Sequence, residues 1–273
     1  MKSIATVSLG GELQEKFQAI SLAGFEGVEL TLTDLENFDG TLKELKALAD
    51  DYNLKIIALQ PLRDYEGCSR SHLQHKHDQL EKIFDTMGEL NIQTTLLCSN
   101  VADLTVSSED LMAEDLQVLA DLAAKRNLLI GYEALSWGSH IKTYMDAWRL
   151  VKMVDSPSLG IVLDTFHTFC LEDSLEHINL IPMEKVFFTQ IADAPKLPID
   201  VKRWSREFRC FPGYGDFDVP SFLRALFDNG YKGVLSLEIF NNFYATVPPL
   251  HIASLGFSSL SESILQARSP IKL

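Results

Sequence analysis

Short apolar runs alternate along this chain with segments whose apolar residues recur every three or four positions. The runs IATVSL, GVEL, LKIIAL, TTLLC, LLIGYE, LGIVLD, VFFTQI and LSLEIF read as buried strands. A parallel strand covered on both faces is written almost wholly in apolar residues, which is the pattern seen. Between them the spacing predicts helices over 13–22, 42–52, 73–90, 111–125 and 141–154, a short one near 175–180, and further helices over 219–227 and 249–265. Eight strand-helix units in a row predict an α/β fold: a single (β/α)8 TIM barrel over 1–273, with its active site at the C-terminal ends of the strands. AGFEGVEL and NGYKGVLSLEIF repeat the sequence of helix end, glycine turn and aromatic before a strand, as barrel repeats do. A doubly wound open sheet is the runner-up, but SLGG after the first run is too short to cradle a pyrophosphate.

Four of the runs end on an oxygen donor: Glu133 in LLIGYE, Asp164 in LGIVLD, Gln190 in VFFTQ and Glu238 in VLSLE. Such a side chain at the end of a buried strand is out of place in an apolar core. Alone, each reads equally as a helix cap or a solvated loop residue. Together they point to one site built from successive strand ends, where three carboxylates and an amide would repel one another without a cation. Mg²⁺ or Mn²⁺ suits such oxygen donors, with Co²⁺ as a further option. Gln190 is the least typical, because a neutral amide is a weak ligand.

The loops after the strands add groups able to bind an anion and move a proton. Arg63, Asp64 and Glu66 follow the third strand, and His167 lies three residues after Asp164. Ser205 and Arg209 sit in the longest irregular stretch, 192–218. Guanidinium forks bind carboxylates, and imidazole exchanges protons near neutral pH. Each has a blander reading, as a loop brace or a packed side chain. His72, His75 and His77 read as surface residues, since 75 and 77 point to different helix faces. The turn PGYGD, 212–216, is expected to shape the site without chemistry and to lead into a helix capped by Asp218 with Pro220 in its first turn.

A net charge of −14 and the lack of any basic run argue against a nucleic-acid partner. The first residues, MKSIATVSLGG, lack a signal peptide's apolar core, and no 18-residue apolar stretch occurs. No membrane association and a soluble cytoplasmic protein are therefore expected. Cys68, Cys98, Cys170 and Cys210 form no C-x-x-C pair and are expected to be reduced.

The segments SIATVSLGG, LQPLRDYEG, YEALSWG, VLDTFH, FTQIADAP, WSREFRCFPGYGD and LSLEIFN resemble the xylose isomerase-like barrel superfamily of sugar isomerases, epimerases and dehydratases, and within it the 3-dehydroshikimate dehydratases. That resemblance implies a divalent metal held by Glu133, Asp164, Gln190 and Glu238. Several epimerase relatives carry His at the third of these positions, so Gln190 leans toward the dehydratases. It implies a small anionic substrate, 3-dehydroshikimate, converted to protocatechuate with loss of water through a metal-stabilised enolate, in quinate and shikimate breakdown or catechol siderophore synthesis. His167 would be the base, and Arg63 and Arg209 would clamp the ring carboxylate, with Glu66 and Ser205 beside them. It also implies association into homo-oligomers. Some bacterial members carry a dioxygenase-like domain after the barrel; this chain stops at Leu273, so a stand-alone enzyme is expected. The rival is a ketose epimerase or isomerase on the same metal site, with Glu133 and Glu238 as the catalytic acid and base. An abasic-site nuclease would need three zinc ions and more histidines, and a barrel that only binds a ligand is the remaining alternative.

Overall fold

Each of the eight apolar runs forms a strand in the computed structural model, which describes residues 1–102 and 107–269. The strands are β1 (Lys2–Ala5), β2 (Gly27–Thr31), β3 (Lys55–Leu62), β4 (Thr94–Cys98), β5 (Leu129–Glu133), β6 (Leu159–Asp164), β7 (Val186–Ile191) and β8 (Val234–Leu237). They pair in parallel in chain order, and β1 closes on β8 through Lys2↔Leu235 and Ile4↔Leu237. The outcome is the predicted (β/α)8 barrel rather than an open sheet.

The helices are α1 (Leu13–Ala23), α2 (Leu32–Glu36), α3 (Leu42–Asp51), α4 (Arg70–Leu90), α5 (Glu109–Ala124), α6 (Tyr144–Val154), α7 (Thr165–Cys170), α8 (Val201–Glu207), α9 (Val219–Asp228) and α10 (Pro249–Arg268). Side-chain caps set several of their starts. Thr41 accepts from the Glu44 N–H at 3.2 Å while Glu44 accepts from the Thr41 N–H at 2.8 Å, and Thr143 and Asp146 repeat the arrangement. Asp218 caps α9 with Pro220 in its first turn, as expected.

Three departures from the periodicity bear on the site. The stretch 175–180 is a 3-10 turn, whereas the helix after β6 begins at once, at Thr165, with Asp164 as its cap. The long stretch 192–218 is not wholly irregular, because it contains α8. The short α2 follows β2 directly and carries no long apolar stripe that would betray it.

Apolar side chains fill both sides of the strands. One cluster lies between strands and helices, and a smaller one, with Ile57, Leu96, Val162 and Phe188, plugs the lumen. No helix among the described residues is long and apolar enough to cross a membrane. Gly256 lets α10 approach β8: a Cβ there would come within 2.7 Å of the Phe211 ring and 2.9 Å of Leu237. Gly88 of α4 has no such neighbour within 4 Å. Gly256→Ala is therefore expected to destabilise the fold by about 1–3 kcal/mol through overpacking. Gly88→Ala should instead stabilise it by about 0.5–1 kcal/mol through helix propensity. Urea unfolding of the two variants beside the parent chain checks the opposite signs.

Candidate active site

The carboxyl ends of the last four strands carry the oxygen donors. β5 ends on Glu133 and β6 on Asp164, Gln190 is the penultimate residue of β7, and Glu238 directly follows β8. Asp164 caps α7, accepting from the N–H groups of Phe166 at 2.5 Å and His167 at 3.4 Å. One helical turn then brings the His167 ring back over the strand ends. Glu133, Asp164 and His167 each offer a ligand atom within 4.8 Å of the other two.

The remaining two expected ligands are placed differently. Glu238 reaches the cluster through Arg209, whose Nη1 donates to Asp164 Oδ2 at 2.8 Å and to Glu238 Oε2 at 3.1 Å. Gln190 turns its Nε2 to Glu29 Oε2 at 2.9 Å, while its Oε1 is buried with no hydrogen-bond partner. The closest grouping is thus the Glu133, Asp164 and His167 triad, with His167 nearer the centre than a base standing outside four ligands would be.

Three buried carboxylates face one buried guanidinium here, and the acid strengths record the imbalance. Burial, then repulsion from Asp164 and Glu238, drives the Glu133 carboxyl well above the usual carboxylate range. Glu238 is also raised by burial, despite Arg209. Burial would raise Asp164 too, but the Arg209 charge together with His167 and the hydrogen bonds from Arg209 and the Phe166 N–H holds it below its ordinary value. A divalent cation relieves such a cluster, and carboxylate, amide oxygen and imidazole are donors that Mg²⁺, Mn²⁺, Co²⁺ or Zn²⁺ accepts. The orphaned Gln190 oxygen is a further acceptor suited to it.

His167 is kept neutral. Burial pulls its pKa down to about 3, outweighing the attraction of Asp164. Ser136 meets Nδ1 with its N–H at 3.1 Å and its hydroxyl at 3.0 Å. The hydroxyl can act either way, the backbone N–H only donates and so favours an unprotonated Nδ1, and the Arg209 guanidinium facing Nε2 favours an unprotonated Nε2. Nε2 faces Glu133 Oε1 at 3.7 Å, Asp164 Oδ2 at 3.9 Å and Arg209 Nη2 at 3.4 Å, and is the nitrogen able to exchange a proton with bound substrate.

The expected carboxylate clamp is rearranged. Arg209 is 1% exposed and committed to Asp164, Glu238 and Ser205, so it serves as counter-charge to the cluster. Ser205 is fully buried, and its hydroxyl accepts from Arg209 Nε at 3.3 Å and Nη2 at 2.9 Å. Glu66 does not line the mouth. Its Oε1 accepts from the Asn100 N–H at 2.6 Å and the Tyr132 hydroxyl at 2.8 Å, bracing two loops. Arg63 does line the mouth, together with Arg206, which the sequence pattern does not single out. Arg206 lies over the Phe240 ring at 4.3 Å and near Trp137 at 5.6 Å. Neither Arg63 nor Arg206 has an acidic partner within ion-pair distance among the described residues. A larger groove between the 212–216 turn and α10 holds none of these groups.

Asp193 fixes the loop that delivers Arg209. It pairs with Cys210 through two backbone bonds of 2.9 and 2.7 Å, and its carboxylate accepts the N–H groups of Ala194, Gly213, Gly215 and Phe217. Gly215 is required there, since a Cβ would fall 2.3 Å from Asp193 Oδ1. Gln60 and Glu29 also belong to the buried polar network without having been expected there, although an acid inside GVEL and an amide closing IIALQ carry the signal that singles out Glu133.

A parallel barrel with a cluster of side chains able to hold a metal ion at its carboxyl mouth defines the class, and the chain belongs to the xylose isomerase-like TIM barrel family, whose model matches residues 17–258. It is 47% identical over 259 residues to the 3-dehydroshikimate dehydratase of Pseudomonas putida, covering 95% of this chain and 41% of that protein. The chain thus spans less than half the length of that relative. The 3-dehydroshikimate dehydratase of Neurospora crassa is 25% identical, over 99% of this chain and 94% of that one. A solved xylose isomerase-like TIM barrel/4-hydroxyphenylpyruvate dioxygenase fusion protein superposes with a TM-score of 0.96 at 46% identity, over 98% of this chain and 43% of that one.

Glu66 supplies a test of the buried electrostatics. Burial lifts its pKa to about 7, against the hydrogen bonds from Asn100 and Tyr132. A carboxyl whose folded pKa is raised binds more protons folded than unfolded, so its contribution is present below about pH 4.5 and is lost as pH rises toward 7. Relative to Glu66→Gln, the parent chain should lose on the order of 3 kcal/mol between about pH 4.5 and 8. Paired denaturant titrations across that range measure it, and a pH-independent difference would contradict the assignment.

Proposed function

We propose that this chain removes water from 3-dehydroshikimate to give protocatechuate at the carboxyl mouth of its barrel. The observation that carries this reading is a buried His167 whose Nε2 faces two carboxylates, in a mouth flanked by the guanidinium groups of Arg63 and Arg206, neither of which has an acidic partner among the described residues. Similarity to two 3-dehydroshikimate dehydratases supports the same substrate.

The chemistry follows from the charges. In a chain of net charge −14, two guanidinium groups without acidic partners among the described residues give the mouth a local attraction for a small carboxylate. Arg63 and Arg206 fork the ring carboxylate, and the rings of Trp137 and Phe240 hold Arg206 in place. Glu133, Asp164, Glu238 and the Gln190 oxygen would hold a divalent ion, Mg²⁺ or Mn²⁺. When bound, such an ion would supply Lewis acidity that polarises the substrate ketone. His167 Nε2 takes the acidified proton next to the ketone, and Glu133 and Asp164 stabilise the imidazolium that results. The same nitrogen then returns a proton to the departing hydroxyl, so that water leaves and the ring, by enolisation of the ketone, becomes aromatic. Ser136 follows the change at Nδ1, accepting from it or donating to it. Arg209 favours the ionised form of Asp164 and offsets part of the cost of burying Glu238.

The epimerase reading asks Glu133 and Glu238 to shuttle protons on opposite faces of a sugar. Glu238 is already bound by Gln60 at 2.8 Å and by Arg209, which leaves it poorly free for that task. Protein stripped of metal should be inert toward 3-dehydroshikimate, and added Mg²⁺ or Mn²⁺ should bring up the ultraviolet band of a catechol acid. Turnover of a ketose with no such band would overturn the proposal. His167→Asn should lower kcat by about 10²–10⁴-fold, the usual size of a general acid-base contribution. Arg206→Gln should act chiefly on KM, raising it about tenfold or more, because it removes a carboxylate contact made before and during reaction.

A further inference from the structure

Glu29 is fully buried in β2, a strand that contributes none of the candidate ligands. Burying an acid costs free energy unless its polar atoms are used, so its partners are informative. Its Oε2 accepts from Gln190 Nε2 at 2.9 Å and from Gln60 Nε2 at 3.4 Å. Gln60 Nε2 also donates to Glu238 Oε1 at 2.8 Å. Four buried side chains from β7, β2, β3 and the end of β8 therefore form one chain, Gln190 to Glu29 to Gln60 to Glu238. β2 and β7 are not neighbours, so the first contact crosses the lumen.

We infer that Glu29 and Gln60 are positioning residues for the ion site, setting which atom of Gln190 and which oxygen of Glu238 is presented to it. The inference rests on the reading that Gln190 and Glu238 hold a divalent ion. An amide has a donor end and an acceptor end, and only the oxygen can bind a cation. With Nε2 held by an accepting oxygen of Glu29, the amide oxygen is turned the other way, where it is buried and has no protein partner. Turning the amide over would forfeit the bond from its N–H to Glu29 Oε2 and point its N–H groups at the ion. At Glu238, Gln60 occupies Oε1 and Arg209 occupies Oε2, so the carboxylate is held by both of its oxygens instead of rotating. Partners of this kind orient ligands that would otherwise sample useless rotamers.

Calorimetric titration of metal-stripped protein with Mn²⁺, without substrate, tests the inference. Glu29→Leu should weaken Mn²⁺ binding about 10- to 100-fold, the usual cost of removing a ligand's orienting partner. Glu29→Gln keeps an oxygen for Gln190 to donate to and should retain nearly the parent affinity. Gln60→Met should weaken binding in the same direction, and it serves as the main readout if Glu29→Leu does not fold by circular dichroism. In a Gln190→Leu background, Glu29→Leu should cause no further loss, because its effect runs through that amide. Unchanged Mn²⁺ affinity in folded Glu29→Leu and Gln60→Met, or fully additive losses with Gln190→Leu, would overturn the inference while leaving the metal reading intact. Failure of the parent chain to bind Mn²⁺ would instead overturn the metal reading, and this inference with it.

Discussion

Three carboxylates withdrawn from water within one barrel mouth form the constraint around which this structure is organised. Glu133, Asp164 and Glu238 are each at most 5% exposed, and a carboxylate so placed is strongly disfavoured unless positive charge answers it. Arg209 answers part of the demand, and several other features exist to bring it there. α8 carries Ser205 to its guanidinium, the Asp193 to Cys210 pairing anchors the chain beside it, and the Asn241 amide donates to the Arg209 carbonyl at 2.9 Å. What one guanidinium leaves unbalanced is the chemical opening for a dication.

The same constraint explains why His167 stays neutral. Its ring is buried, and it meets a guanidinium and a backbone N–H, both of which can only donate. A protonated ring would oppose both. Low basicity at rest and proximity to two carboxylates are complementary: the ring begins unprotonated, and the carboxylates are there when it gains charge.

The barrel was legible in the sequence because continuous apolar runs and segments of helical period alternate without interruption. Glu133 and Asp164 were legible because each ends such a run, and the register that sets Asp164 opposite Gln190 places both at one level of the sheet. What was hidden is direction and partnership. The run ending VFFTQI shows an amide at a strand end but not that it meets an acid 161 residues earlier across the lumen. Glu66 and Arg63 are near neighbours in one loop, yet one turns inward to Tyr132 and the other remains at the surface of the mouth. α8 is seven residues long, too short for periodicity to separate it from a loop, and so nothing in the pattern set Arg206 apart from its neighbours.

Asp193 holds the 212–216 turn by main-chain N–H groups alone, apart from the room that Gly215 provides. A bracket made to the backbone is indifferent to most of the side chains it supports. Side chains of the 212–216 turn other than Gly215 can therefore be exchanged with the turn's path preserved, while the strand tips stay as they are. Variation at the rim of the barrel is thereby uncoupled from the polar cluster at its strand tips.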